Sequence, residues 1–137
     1  MKISIETLVK APLSRVWDAW VTPDDITHWN FAIDTWCCPA AEIDLRVGGN
    51  FSYRMEARDG SMGFDFAGQF TAIEPCKLIR FSLGDDREVS VEFSESRDGV
   101  RVVETFDAED ENSAEQQRQG WQAILNNFKK HVEGRNA

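Results

Sequence analysis

Apolar and polar residues alternate along most of this chain, which is the period of a half-buried β-strand. In the first such segment Ile3, Ile5, Thr7 and Val9 share one face. Turns rich in glycine and aspartate separate the later segments, and short strands joined in this way form an antiparallel meander. The pattern predicts seven strands, at residues 3–9, 42–47, 51–56, 64–74, 78–83, 89–93 and 100–106.

Three segments have a helical period instead. The first begins after Pro12, the second is short and runs from Pro23 to Trp29, and the third is long and C-terminal. Ser113 and Gln116 form a capping-box pattern at the start of the third helix. Its apolar stripe needs a large apolar partner, and only the sheet is large enough. The sequence therefore predicts an α+β fold in which the C-terminal helix lies across one face of an antiparallel sheet. The stripe consists of Trp121, Ile124, Leu125, Phe128 and Val132.

Length and charge narrow the class of protein. The 137 residues are expected to form one domain, residues 1–137. There are 15 basic and 24 acidic residues, a net charge of −9, and no concentrated basic patch, which argues against a nucleic-acid partner. No apolar run approaches the roughly 20 residues of a membrane span. Cys37, Cys38 and Cys76 do not form a disulfide framework, so we expect a cytoplasmic protein.

Several motifs, in their order along the chain, resemble those of a known superfamily. They are residues 11–20 followed by Thr22-Pro23 and His28-Trp29, residues 44–49 leading into Phe51, residues 68–75, and Gly120-Trp121. The chain resembles the SRPBCC (START-like, helix-grip) superfamily, and within it the bacterial homologues of the activator of heat-shock-protein-ninety ATPase. The resemblance implies a curved seven-stranded sheet around the C-terminal helix, two short helices between the first and second strands, and an apolar cavity between sheet and helix.

Aromatic residues make up 11% of the chain, and many fall on the predicted inward faces. They either fill a core or line a cavity that accepts an apolar ligand, and sequence alone does not separate these alternatives. Mid-helix Gly120 favours the cavity, because close approach of the sheet or a ligand would explain it. The candidate cavity residues are Trp29, Phe31, Trp36, Phe51, Tyr53, Met55, Phe64, Phe66, Phe70, Phe81, Trp121 and Leu125.

The polar residues of the sequence give little indication of a catalytic site. His131 lies near a helix C-terminus, where it favours the helix dipole, and His28 has no nucleophile or acid fixed near it by spacing. Neither histidine joins the cysteines in a metal-binding motif, so no catalytic residue, metal or cofactor is predicted. Asp44, Arg46 and Arg54 are expected to form cross-strand ion pairs on the sheet exterior.

Three functions follow in order of preference. The first is a cytoplasmic carrier for an apolar, amphipathic or lipid-like small molecule held between the sheet and the C-terminal helix, with Tyr53 as a polar donor. The second is a chaperone-associated interaction domain, whose acidic surface would meet a basic patch on its partner. The third, an enzyme of the cyclase or hydrolase kind, has no catalytic constellation in its favour.

Overall fold

The computed structural model describes residues 1–136; Ala137, the last residue of the predicted domain, lies outside them. The chain alternates between one strand, two short helices, six further strands and one long helix. The elements are β1 Lys2–Val9, α1 Leu13–Val21, α2 Pro23–Trp29, β2 Trp36–Ile43, β3 Asn50–Ala57, β4 Gly63–Glu74, β5 Leu78–Leu83, β6 Glu88–Ser96, β7 Gly99–Asp107 and α3 Ala114–Asn136.

All seven strands form one antiparallel, curved sheet in the order β1-β7-β6-β5-β4-β3-β2. Strands β2 to β7 make a meander, and β1 pairs with β7, so β1 and β2 lie at opposite edges. Helices α1 and α2 connect these two edges. The predicted fold class, with two short helices between the first and second strands and a long C-terminal helix, is confirmed. No helix within residues 1–136 is long and apolar enough to cross a bilayer.

The inward faces of β1 and β7 supply part of the core. Ile3 and Ile5 on β1 lie opposite Phe106 and Glu104 on β7, and Val100 and Val102 continue the inward row of β7. The apolar members of this group are almost fully buried. Apolar residues of these strands therefore face the core and the residues between them face away from it, because successive side chains of a strand point to opposite faces of the sheet.

The strand predicted at residues 42–47 is placed wrongly. The observed β2 runs over Trp36–Ile43, and its last pair joins Ile43 to Phe51. Leu45 and Val47 are 38% and 60% exposed in the loop that follows. This loop bonds to β3 only at its start, where the Asp44 N–H donates to the Asn50 carbonyl over 2.9 Å, and then turns to β4, where the Gly48 N–H donates to the Phe70 carbonyl over 2.8 Å. The apolar alternation of residues 44–47 thus belongs to a loop.

Helix α3 begins with the predicted capping box. The Gln116 N–H donates to Ser113 Oγ over 3.1 Å, and the Ser113 N–H donates to Gln116 Oε1 over 3.4 Å. Leu125 and Phe128 of its apolar stripe are fully buried. Gly120 does not mark a close approach of the sheet, because a Cβ there would meet no described atom within 4 Å outside its own helix.

Candidate ligand cavity

A cavity of about 170 Å³ lies between the curved sheet and the helices. Aromatic side chains make up most of its wall, and the other lining residues are mainly apolar side chains from α1, α3 and strands β2, β3 and β5. Phe64, which is 48% exposed, marks a solvent-facing part of the wall. The lining residues are Trp20, Val21, Trp29, Asn30, Ile43, Phe51, Tyr53, Met55, Phe64, Phe66, Phe70, Ile79, Phe81, Glu104, Trp121 and Ile124.

Nine of the twelve sequence-predicted cavity residues contribute to this wall, and Phe31, Trp36 and Leu125 do not. Leu125 is fully buried in the packed core, one residue beyond the cavity-lining Ile124. The Trp36 ring packs against Phe64, with 6.0 Å between ring centroids. Phe31 lies in the connection after α2, where the Arg58 guanidinium sits 5.9 Å from the centre of its ring. Trp29, the last residue of α2, does line the cavity.

The aromatic wall depends on a glycine in the neighbouring strand. Phe51 packs against Tyr53 and Phe81, with ring centroids 4.9 Å apart in each case. Its register partner on β4 is Gly68. A Cβ at Gly68 would lie 2.9 Å from two carbons of the Phe51 ring and 2.5 Å from the Ser82 carbonyl oxygen. The absence of a side chain at Gly68 therefore lets Phe51 lie flat over β4.

Glu104 is the one acidic residue in the described cavity wall. It is 7% exposed, and its register partners on β1 and β6 are the apolar Ile5 and Val91. No described residue forms a hydrogen bond or ion pair with its carboxyl group. Burial in these surroundings raises the pKa of Glu104 to about 8, because the charged form loses its hydration. The carboxyl group is therefore mostly protonated at neutral pH.

Glu104 is not among the sequence-predicted site residues, although its position in the sequence carries a signal for it. It stands between Val102 and Phe106 on the predicted inward face of β7. A single carboxylate in an apolar row of alternate residues predicts a buried charge, which proteins seldom keep without a purpose.

Tyr53, the predicted donor, lies in the cavity wall on β3. Its ring packs on Phe51, and no described residue is hydrogen-bonded to its hydroxyl group. Burial raises the pKa of the phenol, so Tyr53 stays neutral at physiological pH. Tyr53 and Glu104 thus supply two polar groups on well-separated strands of an otherwise mainly apolar wall.

A second polar cluster joins the three helices outside the cavity wall. Asp25 on α2 is buried, and its Oδ1 lies 2.9 Å from Arg15 Nη2 and 2.7 Å from His131 Nε2. The interpretation of His131 as a simple dipole partner is therefore wrong. Burial opposes ionisation of Asp25, but its hydrogen bonds to Arg15 and His131 prevail and hold the pKa of its carboxyl group below its ordinary value. His28 stacks on His131 with 5.7 Å between ring centroids.

The remaining candidate polar residues lie on the surface. Arg54 contacts Glu56 over 3.1 Å along its own strand and its cross-strand partner Asp65 over 3.4 Å. The expected cross-strand pairing is wrong for Asp44 and Arg46, which pair with each other over 2.8 Å in the β2–β3 loop. Within residues 1–136 no group of three or more His, Cys, Asp and Glu side chains is arranged to hold a metal ion.

Comparison with known proteins identifies the family. Residues 10–133 match the family model described as "Activator of Hsp90 ATPase homolog 1-like protein". The chain belongs to this family. Because that match covers most of the chain, it confirms the resemblance to bacterial homologues of the activator. A search of functionally curated proteins gives no match.

Solved structures agree with the family assignment. The solution structure of an AHSA1-like protein from Aeromonas hydrophila is 46% identical, with a TM-score of 0.94 over 99% of this chain and 94% of that one. A protein from Cytophaga hutchinsonii is 42% identical, with a TM-score of 0.84 over 98% and 94% of the two chains. A protein from Chromobacterium violaceum, at 21% identity, a TM-score of 0.83 and 96% coverage of both chains, shows the shared fold alone.

Proposed function

We propose that this member of the activator-homolog family binds a small apolar or amphipathic molecule in the cavity between the curved sheet and the helices. The observation that carries the proposal is an aromatic cavity whose wall contains two buried polar groups, Glu104 and Tyr53, without described hydrogen-bond partners. Apolar burial supplies affinity in such sites, and a few polar groups fix the orientation of the ligand.

The volume of the cavity limits the size of the ligand. At about 170 Å³ it is close to the roughly 150 Å³ in which an apolar protein cavity holds benzene. A molecule with one aromatic ring and a short side chain fits this volume. A long lipid chain requires the wall to move, and the half-exposed Phe64 is the side chain best situated to do so.

We further propose that the protein acts in the cytoplasm. Cys37, Cys38 and Cys76 are all free thiols in the structure. Free cysteines suit a reducing compartment, whereas small secreted domains commonly rely on disulfides.

Binding to a chaperone is the second candidate function, and the description of the matched family supports it. The net charge of −9 suits a partner with a basic surface. Reversing exposed charges, for example Glu42→Lys with Glu74→Lys, is expected to abolish capture of a chaperone while leaving small-molecule binding intact. Loss of small-molecule binding in that variant would contradict a separation of the two functions.

Native mass spectrometry of freshly purified protein, before and after mild organic extraction, tests the first proposal. A discrete mass that extraction removes is the expected result. Ile124→Trp fills the cavity from α3, because Ile124 lines it, and should abolish the extra mass. Gln119→Trp is the matched control, since Gln119 is exposed on the same helix. Retention of the bound mass by Ile124→Trp would contradict binding in this cavity.

A further inference from the structure

Resting on the proposed function, we propose that Glu104 is the polar anchor of the cavity and that the bound molecule is a small apolar amine. Its ammonium group pairs with the Glu104 carboxylate, and its apolar part lies against the aromatic wall. Glu104 is 7% exposed as a residue, lines the cavity and has no described hydrogen-bond partner for its carboxyl group, so a ligand that pairs with this group gains a charge-assisted hydrogen bond.

The sign of the ligand charge follows from the wall. The described lining residues include no lysine, arginine or histidine, so an anionic ligand would be buried without a counter-charge. An ammonium group would instead find an opposite charge in the Glu104 carboxylate and cation–π contacts with the aromatic faces of the wall. The net charge of −9 also favours the approach of a cation.

The inward position that follows the anchor on β7 carries a stacked aromatic pair. Trp121 of α3 stacks on Phe106 with 4.0 Å between ring centroids, and Phe106 follows Glu104 on the inward face of β7. Phe66 of β4 meets Trp121 edge to face at 6.0 Å. An ammonium group at Glu104 therefore lies near the Trp121 ring, while an attached aromatic ring extends towards Phe66 and the β3–β5 part of the wall.

Proton balance gives this binding a pH signature. Burial raises the pKa of Glu104 to about 8 in the empty cavity, so the ammonium ligand displaces the carboxyl proton to solvent below that pH. The products are a carboxylate paired with an ammonium group and one released proton. Amine affinity should rise about tenfold per pH unit from pH 6 to pH 8 and level off above it.

No other described ionisable group lies against Glu104 to produce the same signature. On the neighbouring strands β1 and β6 the residues that pair with Glu104 are Ile5 and Val91, and α1 and α3 present Trp20 and Trp121 to the cavity. The described charged side chains of these elements lie on exposed faces or bond elsewhere. Tyr53, on β3, is the other titratable residue of the described wall, and burial raises its pKa away from this range. The bonded residues are Lys2 to Asp107, Glu6 to Arg101, Arg15 and His131 to Asp25, Arg118 to the Ser4 carbonyl, and Lys129 to Glu133 and the Leu8 carbonyl.

Three probes of matched size test the assignment: 2-phenylethylamine, 2-phenylethanol and phenylacetate, titrated by calorimetry and tryptophan fluorescence at pH 6 to 9. At pH 8.5 we expect the amine to bind at least about tenfold more tightly than the alcohol, and phenylacetate to bind most weakly. Glu104→Gln should weaken amine binding by about tenfold or more and leave alcohol binding within about threefold. Glu104→Met, of similar volume and without a titrating group, should behave likewise.

The outcomes separate the two proposals. If the alcohol binds as tightly as the amine, or Glu104→Gln retains amine affinity, the anchor assignment is overturned while binding of an apolar molecule stands. A rise in affinity that continues past pH 8 towards the pKa of the amine also overturns it, because it reports uptake of the neutral amine. Absence of binding by all three probes overturns the amine assignment, and the native mass spectrum then decides the proposed function separately.

Discussion

His131 Nε2 lies 2.7 Å from Asp25 Oδ1, which joins the C-terminal part of α3 to α2. Arg15 of α1 contacts the same carboxylate oxygen through Nη2, at 2.9 Å. One buried carboxylate therefore holds three helices together. These helices close the open side of the sheet, so this contact also supports the wall of the cavity.

Replacing Asp25 by Asn should make unfolding easier in a pH-dependent way. The folded state lowers the pKa of Asp25, so its stabilising contribution is present above the unfolded pKa near 3.8 and is lost as the pH falls through the lower folded value. We expect a loss of about 2–4 kcal/mol at pH 6, which shrinks towards zero in strong acid. Urea unfolding between pH 2 and pH 6 measures it.

Asp110→Asn is the control for this series, since Asp110 is exposed in the loop before α3. It should change the free energy of unfolding by less than about 0.5 kcal/mol across the range. An Asp25→Asn effect that stayed constant down to pH 2 would show that the carboxylate is not the source of the stability.

Glu104 should have the opposite pH dependence. Its folded pKa of about 8 lies above the ordinary value of 4.5, so the empty protein loses stability as the pH rises from about 4.5 to 8. Glu104→Gln removes this titration and should stabilise the empty protein by on the order of 4 kcal/mol at pH 8, with little effect at pH 4. Thermal unfolding of extracted protein at both pH values measures it, and equal effects at the two would contradict the raised pKa.

Gly68→Ala should damage the cavity wall. The added Cβ would lie 2.5 Å from the Ser82 carbonyl oxygen and 2.9 Å from the Phe51 ring, so the ring or the strand must move. We expect a loss of about 1–3 kcal/mol in stability and weaker binding of any cavity ligand. Gly84→Ala is the matched control, because a Cβ there meets no described atom within 4 Å. Equal stabilities of the two variants in urea would refute the close approach of Phe51 to β4.

Gly120→Ala should stabilise the protein. Gly120 lies inside α3, and a Cβ there meets no described atom within 4 Å outside the helix. Alanine loses less backbone entropy in a helix, so we expect a gain of about 0.5–1 kcal/mol. Chemical denaturation measures the gain, and unchanged ligand binding checks that Gly120 does not belong to the cavity. A destabilised variant would show that Gly120 has a contact that the structure does not contain.

Local periodicity predicted most of the fold. The alternation in residues 100–106 and the stripe containing Leu125 and Phe128 were sufficient to place β7 and α3, because each element buries one face against the core. The same reasoning failed at residues 44–47, where Leu45 and Val47 alternate with charged residues in a loop. An alternating pattern shows only which residue types follow one another, and it does not show which strand the backbone bonds to. In this loop the Gly48 N–H bonds to β4, so residues 44–47 do not continue β2.

The candidate site was predicted in part. Tyr53 and Phe66 line the cavity as their inward positions indicated, because strand period fixes which face a side chain occupies. Whether an inward side chain packs into the core or borders a cavity depends on the curvature of the sheet and the position of α3. Leu125 and Ile124, adjacent in sequence, therefore differ in this respect.

The sequence by itself determined the elements other than β2, the antiparallel meander and the aromatic inward faces, because these follow from local period and turn chemistry. Only the tertiary structure decided that Asp25, Arg15 and His131 meet, since residues 15, 25 and 131 come together only when α3 packs against α1 and α2. It also decided that Glu104 lies without a described partner at an apolar cavity. The surroundings of a carboxylate are set by strands β1, β6 and β7 together, and no local pattern contains them.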